Sequence, residues 1–130
     1  SGVPKKRTGR IDTPIFSGTK ELEATTFYET IDTKNNVSLL LLKPETGRKH
    51  QIRKHLNLLN LPIIGETKFL RNKKKFIDKA NSDFFLHAYT ISFKGSKSNP
   101  ITLTASLPEY FKKKIKVFNL NIMKLENKKF

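Results

Sequence analysis

The feature that most constrains the fold is an apolar run at residues 37–42, followed at once by a break and a basic helical pattern. A continuous apolar run of this length is typical of a strand buried on both faces. Pro44 and Gly47 interrupt the chain, and Gly47 permits a tight turn that most residues resist. Because helix amides and the helix dipole favour negative charge before the first turn, we expect this unit to face a phosphate or a carboxylate.

The helix is predicted over residues 49–60, where three apolar residues recur at i, i+4 and i+7. These residues are Ile52, Leu56 and Leu59. Arg48 and Arg53 are five positions apart, so they do not share a helix face. One of them can therefore face a phosphate while the other faces an acid, since the guanidinium fork suits both. The local pattern offers no convincing carboxylate for either.

Strand and turn signals surround this unit. Residues 21–31 and 37–43 predict a hairpin around a polar turn at 32–36. Residues 3–18 are punctuated by Pro and Gly and predict an irregular or edge segment. After the helix, residues 71–81 predict a short, weakly held helix.

The last third of the chain predicts two more strands and a helix. The strands are expected at residues 84–94 and 101–107 around a turn at 96–100, the second with one exposed face. Pro108 starts a helix with an apolar stripe, and residues 124–130 are expected to fray. The element order predicts an α+β fold, a mixed and mainly antiparallel sheet with flanking helices, as one domain over residues 1–130.

Charge points to a polyanionic partner. The 130 residues include 26 Lys and Arg against 11 Asp and Glu, a formal net charge of +15. Such an excess favours nucleic acid as the leading partner. The chain has no Cys, which excludes disulfides and thiolate zinc sites. Because no apolar run is long enough to span a membrane and no signal peptide is evident, we expect a cytoplasmic protein without membrane contact.

The three histidines have two interpretations. His50 and His55 could serve acid–base chemistry, as in a His-dependent nuclease, or could simply be packed beside the apolar stripe. Packing is favoured because nothing in the pattern pairs them. Their i, i+5 spacing and the absence of an H-E-x-x-H pattern argue against a metal site. His87, within an apolar segment, is expected to be satisfied locally.

The run T-G-R-K-H-Q-I-R-K-H-L at residues 46–56 resembles the C-terminal motif of RluA-type pseudouridine synthases. Four other segments are similar to segments of that family and follow its order. They are G-R-I-D-T-P-I at 9–15, L-P-I-I-G at 61–65, F-L-H-A at 85–88 and A-S-L-P at 105–108. Together the similar segments span most of residues 9–111.

The resemblance implies a function and a site. Members of this family isomerise uridine to pseudouridine in ribosomal or transfer RNA without a cofactor or a metal, on a base flipped into the pocket. By position, Arg53 is the arginine that pairs with the catalytic Asp, and Leu86 lines the uracil pocket. The resemblance places four residues toward RNA. They are Arg48, Lys49, Gln51 and Lys54.

The H-R-L-D motif that holds the family's catalytic Asp has no counterpart here, and Asp12 lies too close to the helix to replace it. We therefore expect this chain to be the C-terminal portion of a catalytic domain, inactive alone. The parent enzyme would act on RNA, with large-subunit ribosomal RNA favoured. The alternative is a non-catalytic, basic RNA-binding or ribosome-associated module.

Overall fold

A computed structural model describes residues 1–70, 83–95 and 99–130, which contain seven strands and three helices. The strands are β1 (Thr8–Ile11), β2 (Ile15–Ser17), β3 (Lys20–Leu22), β4 (Thr26–Lys34), β5 (Val37–Pro44), β6 (Thr90–Lys94) and β7 (Pro100–Thr104). The helices are α1 (Gln51–Leu58), α2 (Glu109–Val117) and α3 (Met123–Glu126). In the described ranges, no helix combines the length and the apolar character that crossing a bilayer requires.

The strands form three antiparallel units. The largest is a three-stranded sheet in the order β1-β4-β5, and the others are the hairpins β2-β3 and β6-β7. The β4-β5 turn places Asn35 at φ 48° and Asn36 at φ 57°, two left-handed residues in succession as a type I′ hairpin requires. Asn tolerates this conformation better than most residues, which explains the polar turn. The α+β class and the central hairpin are confirmed.

The main core lies between the β4-β5 hairpin and the C-terminal helices. Its buried residues are Ile31, Leu39, Leu107, Ile115 and Leu125. Ile115 projects from the apolar stripe of α2, and Leu125 comes from the short helix α3. The end of the chain is therefore packed against its central sheet.

Two predictions for the C-terminal part are wrong. The start of the segment predicted to fray at 124–130 is packed instead, because Leu125 in α3 is 5% exposed, and at its end the ring of Phe130 lies 5.8 Å from that of Tyr89. The strand predicted over 84–94 begins only at Thr90. Before it, the backbone amide of Phe85 bonds to a loop carbonyl and its ring packs on α2, so the segment is held without strand pairing.

Other predictions are partly met. The edge segment predicted at 3–18 contains β1, an edge strand. The strand predicted at 101–107 ends at Thr104 and is exposed along its whole length, so its alternation does not mark one buried face. The helix predicted at 71–81 and most of the turn at 96–100 lie outside the described residues.

Replacing Ile115 by Ala should lower the free energy of unfolding by about 2–5 kcal/mol, because it leaves a cavity in the core. Val117→Ala is the matched control, since Val117 is on the same helix but 73% exposed, and it should cost less than about 0.5 kcal/mol. Urea unfolding followed by circular dichroism measures both. Equal losses in the two variants would contradict the assignment of this core.

Candidate functional site

The turn into α1 is made by His50 rather than by Gly47. His50 is the residue before the helix and has φ 58° and ψ 25°, in the left-handed region. Gly47 has no positive φ, and no atom lies within 4 Å of the place where its Cβ would be. The expectation that Gly47 makes the tight turn is therefore wrong. The strained position falls instead on a side chain within the candidate site.

Gln51, the first residue of α1, is tied to the sheet. Its Nε2 donates to the carbonyl oxygen of Thr25 and to Oγ1 of Thr26, both at 2.9 Å. Its Oε1 accepts from Thr46 Oγ1 at 2.7 Å and from the backbone amide of Arg48 at 3.0 Å. The side chain is buried, with 4% exposure, and its polar atoms are occupied. The expectation that Gln51 contacts RNA is therefore corrected: it anchors the helix.

His55 lies one turn further along and belongs to the same network. It is fully buried, with Nδ1 at 2.9 Å from Thr26 Oγ1 and Nε2 at 2.9 Å from the carbonyl oxygen of Thr13. Because a carbonyl only accepts, Nε2 holds the proton and Nδ1 accepts from the Thr26 hydroxyl. The packed interpretation of His55 is confirmed. Since both ring nitrogens are occupied inside the protein, His55 is not available for a nuclease.

Arg53 projects from another side of α1 and meets Glu66. Its Nε donates to Oε2 at 2.7 Å and its Nη2 to Oε1 at 2.8 Å, a bidentate pair. The carboxylate also accepts from the backbone amides of Lys68 and Phe69, and its side chain is 1% exposed. Hydrogen bonding from Arg53 and from these amides outweighs burial and lowers the pKa of Glu66 to about 2. In turn, the Glu66 carboxylate raises the pKa of Arg53.

Glu66 is the residue that the sequence interpretation missed. The structure brings it to Arg53 through Gly65, which has φ +88°. A Cβ on Gly65 would lie 2.5 Å from the carbonyl oxygen of Asp83, so the two chain segments approach too closely for a side chain there. A Gly-acid pair shortly after a basic helix was the available signal. The spacing alone did not show that the acid turns back to Arg53.

The guanidinium of Arg53 is held on three sides. Its Cζ lies 4.9 Å from the ring centroids of Phe69 and Phe84. Glu66 takes Nε and Nη2, and Nη1 has no hydrogen-bond partner in the part of the chain that the structure describes. The Arg53 side chain is 23% exposed. With respect to the described residues, Nη1 is therefore free to bind a second acid or a phosphate.

The three other residues expected to face RNA have positions consistent with a surface role. Arg48 is exposed, and its Nε donates to the carbonyl oxygen of Glu23 at 3.0 Å. Lys49 is also exposed. Lys54 reaches the carbonyl oxygen of Phe16 with its Nζ at 3.0 Å. These cations surround the N-terminal half of α1, beside Arg53.

Leu86 lines an apolar groove of about 800 Å³. The groove runs along the whole of β5 and reaches Ile52, the residue before Arg53 on α1. Within the described residues, β5 pairs only with β4, so its second edge has no strand partner. Leu86 is half-buried in this groove rather than in a closed pocket. His87 bonds the Ala105 carbonyl oxygen with Nε2 at 3.2 Å, which confirms that it is satisfied locally.

The candidate site has no metal-binding cluster. Across residues 1–70, 83–95 and 99–130, no three His, Asp or Glu side chains converge as metal ligands would. Asp12 pairs with Arg10 at 2.7 Å on the exposed side of the sheet.

The sequence is similar to known proteins of one family. Residues 3–58 match the family described as RNA pseudouridylate synthase. An uncharacterised RNA pseudouridine synthase of Zymomonas mobilis is 34% identical over 123 residues, covering 85% of this chain and 54% of that protein. The ribosomal large subunit pseudouridine synthase C of Rickettsia typhi is 36% identical over 116 residues, covering 88% of this chain and 37% of that protein.

A solved structure shows the same fold. Human RNA pseudouridylate synthase domain containing 4 superposes with a TM-score of 0.74 at 22% identity, covering 92% of this chain and 59% of that one. The chain thus spans about half the length, or less, of the two sequence relatives it matches.

Replacing Thr26 by Val should lower the free energy of unfolding by about 1–3 kcal/mol, because Gln51 and His55 then lose a buried partner. Thr30→Val is the matched control on the same strand. Thr30 Oγ1 is buried without a hydrogen-bond partner among the described residues, so its removal should be neutral or stabilising. Thermal or urea unfolding separates the two. A Thr26→Val variant as stable as Thr30→Val would contradict the anchoring role.

Replacing Glu66 by Gln should destabilise the protein in a pH-dependent way. The folded pKa of about 2 lies below the ordinary 4.5, so the stabilisation is complete above 4.5 and is lost as the pH falls toward 2. That difference corresponds to about 3 kcal/mol at neutral pH. The stability gap between wild type and variant, measured by urea unfolding, should shrink from about pH 5 to pH 2. Glu109→Gln, in an exposed pair, is the control, and a gap independent of pH would refute the pairing.

Proposed function

This chain is related to the RNA pseudouridine synthases over most of its length, and we propose that it supplies the Arg53 side of an active site that isomerises uridine to pseudouridine in RNA. The observation that supports this most directly is the geometry of Arg53. Its guanidinium is fixed by Glu66 and two rings, while Nη1 has no partner among the residues that the structure describes.

The Nη1 side of Arg53 suits a catalytic carboxylate. An arginine beside a carboxylate favours the ionised form and fixes its orientation, which a nucleophilic or general-base Asp requires at neutral pH. Within the described residues, Glu66 is the carboxylate bound to Arg53, and it is buried and fully engaged. The sequence has no counterpart of the H-R-L-D motif, so the proposed catalytic acid approaches Arg53 from the Nη1 side and comes from outside these 130 residues.

The apolar groove also supports a site divided between this chain and a second portion of the domain. We propose that this chain is the C-terminal portion of a synthase domain and that the remaining portion fills the groove along β5. A strand with one unpaired edge presents backbone donors and acceptors to an added strand. The groove is also lined by apolar side chains such as Leu40, Leu42 and Phe111, whose burial would stabilise the association.

Leu86 and the basic side chains complete the proposed substrate site. Leu86 lines the uracil pocket, in a part of the groove that the remaining portion of the domain leaves open to RNA. Arg48, Lys49 and Lys54 contact RNA phosphates, consistent with the net charge of +15. No cofactor or metal takes part. Large-subunit ribosomal RNA is the proposed substrate, because the Rickettsia typhi relative is named for it, and transfer RNA is the competing substrate.

Tritium release tests this function. Isomerisation breaks the N1–C1′ bond and forms a C5–C1′ bond, so RNA labelled with tritium at uridine C5 loses the label. The 130-residue chain alone should release none from ribosomal or transfer RNA transcripts. Adding the portion of the Zymomonas mobilis relative that has no counterpart here should start release, and Arg53→Gln should abolish it while Lys116→Gln does not.

The same assay separates the alternative, a non-catalytic RNA-binding module. Its support is the high positive charge, which does not require chemistry. On that view the chain binds RNA with steep salt dependence, yet no added portion produces release, although size exclusion shows that the two portions associate. Release by the chain alone would instead place the catalytic acid within these 130 residues.

A further inference from the structure

The ring of Phe69 is surrounded by cations from two parts of the chain. Lys68 Nζ lies 5.6 Å from its centroid, and Lys54 Nζ lies 5.8 Å from it. Arg53 Cζ is 4.9 Å away, and the imidazole of His50 packs at 5.3 Å with a tilt of 49°. We refer to these five residues as the Phe69 cluster. Helix α1, the residue before it and the loop after it all contribute.

Among the residues that the structure describes, Glu66 neutralises Arg53, and the two lysines of the Phe69 cluster have no carboxylate partner. The oxygens of Glu66 are occupied by Arg53 and by two backbone amides. In the ranges that the structure describes, neither Lys54 nor Lys68 forms an ion pair. Because like charges held together repel one another, this arrangement favours binding of an anion.

His50 contributes an aromatic face rather than a charge. Its pKa is lowered, first by desolvation and then by the positive charges of Arg53, Lys68, Lys49 and Lys54. A lowered pKa favours the neutral form of the ring. The His50 backbone is left-handed, with φ 58°, and in this conformation its ring packs against Phe69. Aromatic rings beside unpaired cations are the combination that binds single-stranded nucleic acid.

The spacing of the rings decides where a base can lie. A base between two rings needs about twice the 3.5 Å contact distance, whereas the His50 and Phe69 centroids are 5.3 Å apart. A base therefore does not fit between these two rings, which leaves the imidazole face turned away from Phe69 for stacking. Lys68 Nζ lies 5.6 Å from the centroid of the Phe69 ring that His50 contacts, so Lys68 is placed for the phosphate of the stacked nucleotide. A duplex would contact only the cations through its phosphates, because its bases are already stacked and could not stack on the rings.

We propose that the Phe69 cluster binds one unpaired RNA nucleotide, with its base stacked on His50 and its phosphate at Lys68. This nucleotide is a neighbour of the uridine that is isomerised, and the inference rests on the proposed RNA substrate. It adds a subsite at which unpaired structure in the RNA is recognised.

Binding of a six-nucleotide oligouridylate, measured by fluorescence anisotropy, tests the subsite. His50→Asn keeps a residue that tolerates the left-handed backbone but removes the ring. It should weaken binding about ten-fold, on the order of one stacked base. It should not change binding of an abasic ribose-phosphate oligomer of the same length. Lys116→Gln, on an exposed part of α2, is a control for loss of one charge, and circular dichroism checks folding of each variant.

The phosphate part of the subsite has its own measurement. Lys68→Gln should weaken both oligomers and reduce the salt dependence of binding by about one counterion. Phosphate close to His50 should also raise its pKa, so the NMR titration of its ring should move to higher pH when the oligouridylate is added. A His50 that merely packs on Phe69 would show no such shift.

Several results would overturn the inference. The first is that the wild type does not bind the oligouridylate at low salt. The second is that His50→Asn weakens binding of the oligouridylate and of the abasic oligomer equally, and the third is that it changes the binding of neither. The outcome is independent of tritium release. If release fails but His50→Asn discriminates between the oligomers, the subsite stands without the isomerase. If tritium is released but His50→Asn binds both oligomers as tightly as the wild type does, only the subsite proposal is wrong.

Discussion

The hydroxyl of Thr26 holds helix α1 in place through two buried hydrogen bonds, and the candidate site depends on them. It accepts from Gln51 and donates to His55, which lie one turn apart on the same face of α1. These bonds are buried, so breaking them leaves polar groups without water or protein partners. They fix the rotation of α1 against β4. Arg53 lies between the two anchors in sequence and about half a turn away around the helix, so the network aims it toward Glu66.

Arg53 illustrates how a buried acid can organise a site without being its catalytic group. Glu66 is nearly inaccessible, yet it stays ionised because a bidentate arginine and two amides offset its desolvation. A guanidinium has donors on more than one edge, and Glu66 occupies only one of them. The pair therefore leaves Arg53 rigid and still able to meet another anion. A lysine, with a single flexible ammonium, would not hold this geometry.

Much of the fold follows from local patterns. The β4-β5 hairpin, the start of α1 near residue 50 and the apolar stripe of α2 were predictable because strand, turn and helix signals act over a few residues. The errors fall where distant segments meet. Residues 84–89 have strand composition but are held by α2 and a loop, and Leu125 is ordered by the core. Gln51 is a polar residue of a type usually found at the surface, yet its side chain turns inward and donates to Thr25 and Thr26.

By itself, the sequence determined the antiparallel hairpin and the basic helix, because periodicity and turn signals are local properties, and its resemblance to a family singled out Arg53. The tertiary structure alone decided which acid Arg53 meets, that His50 takes the left-handed turn, and that Gln51 and His55 are anchors. The physical reason is that hydrogen-bond partners 13 to 42 residues apart are chosen by packing. No local pattern records which distant donor a buried acceptor will find.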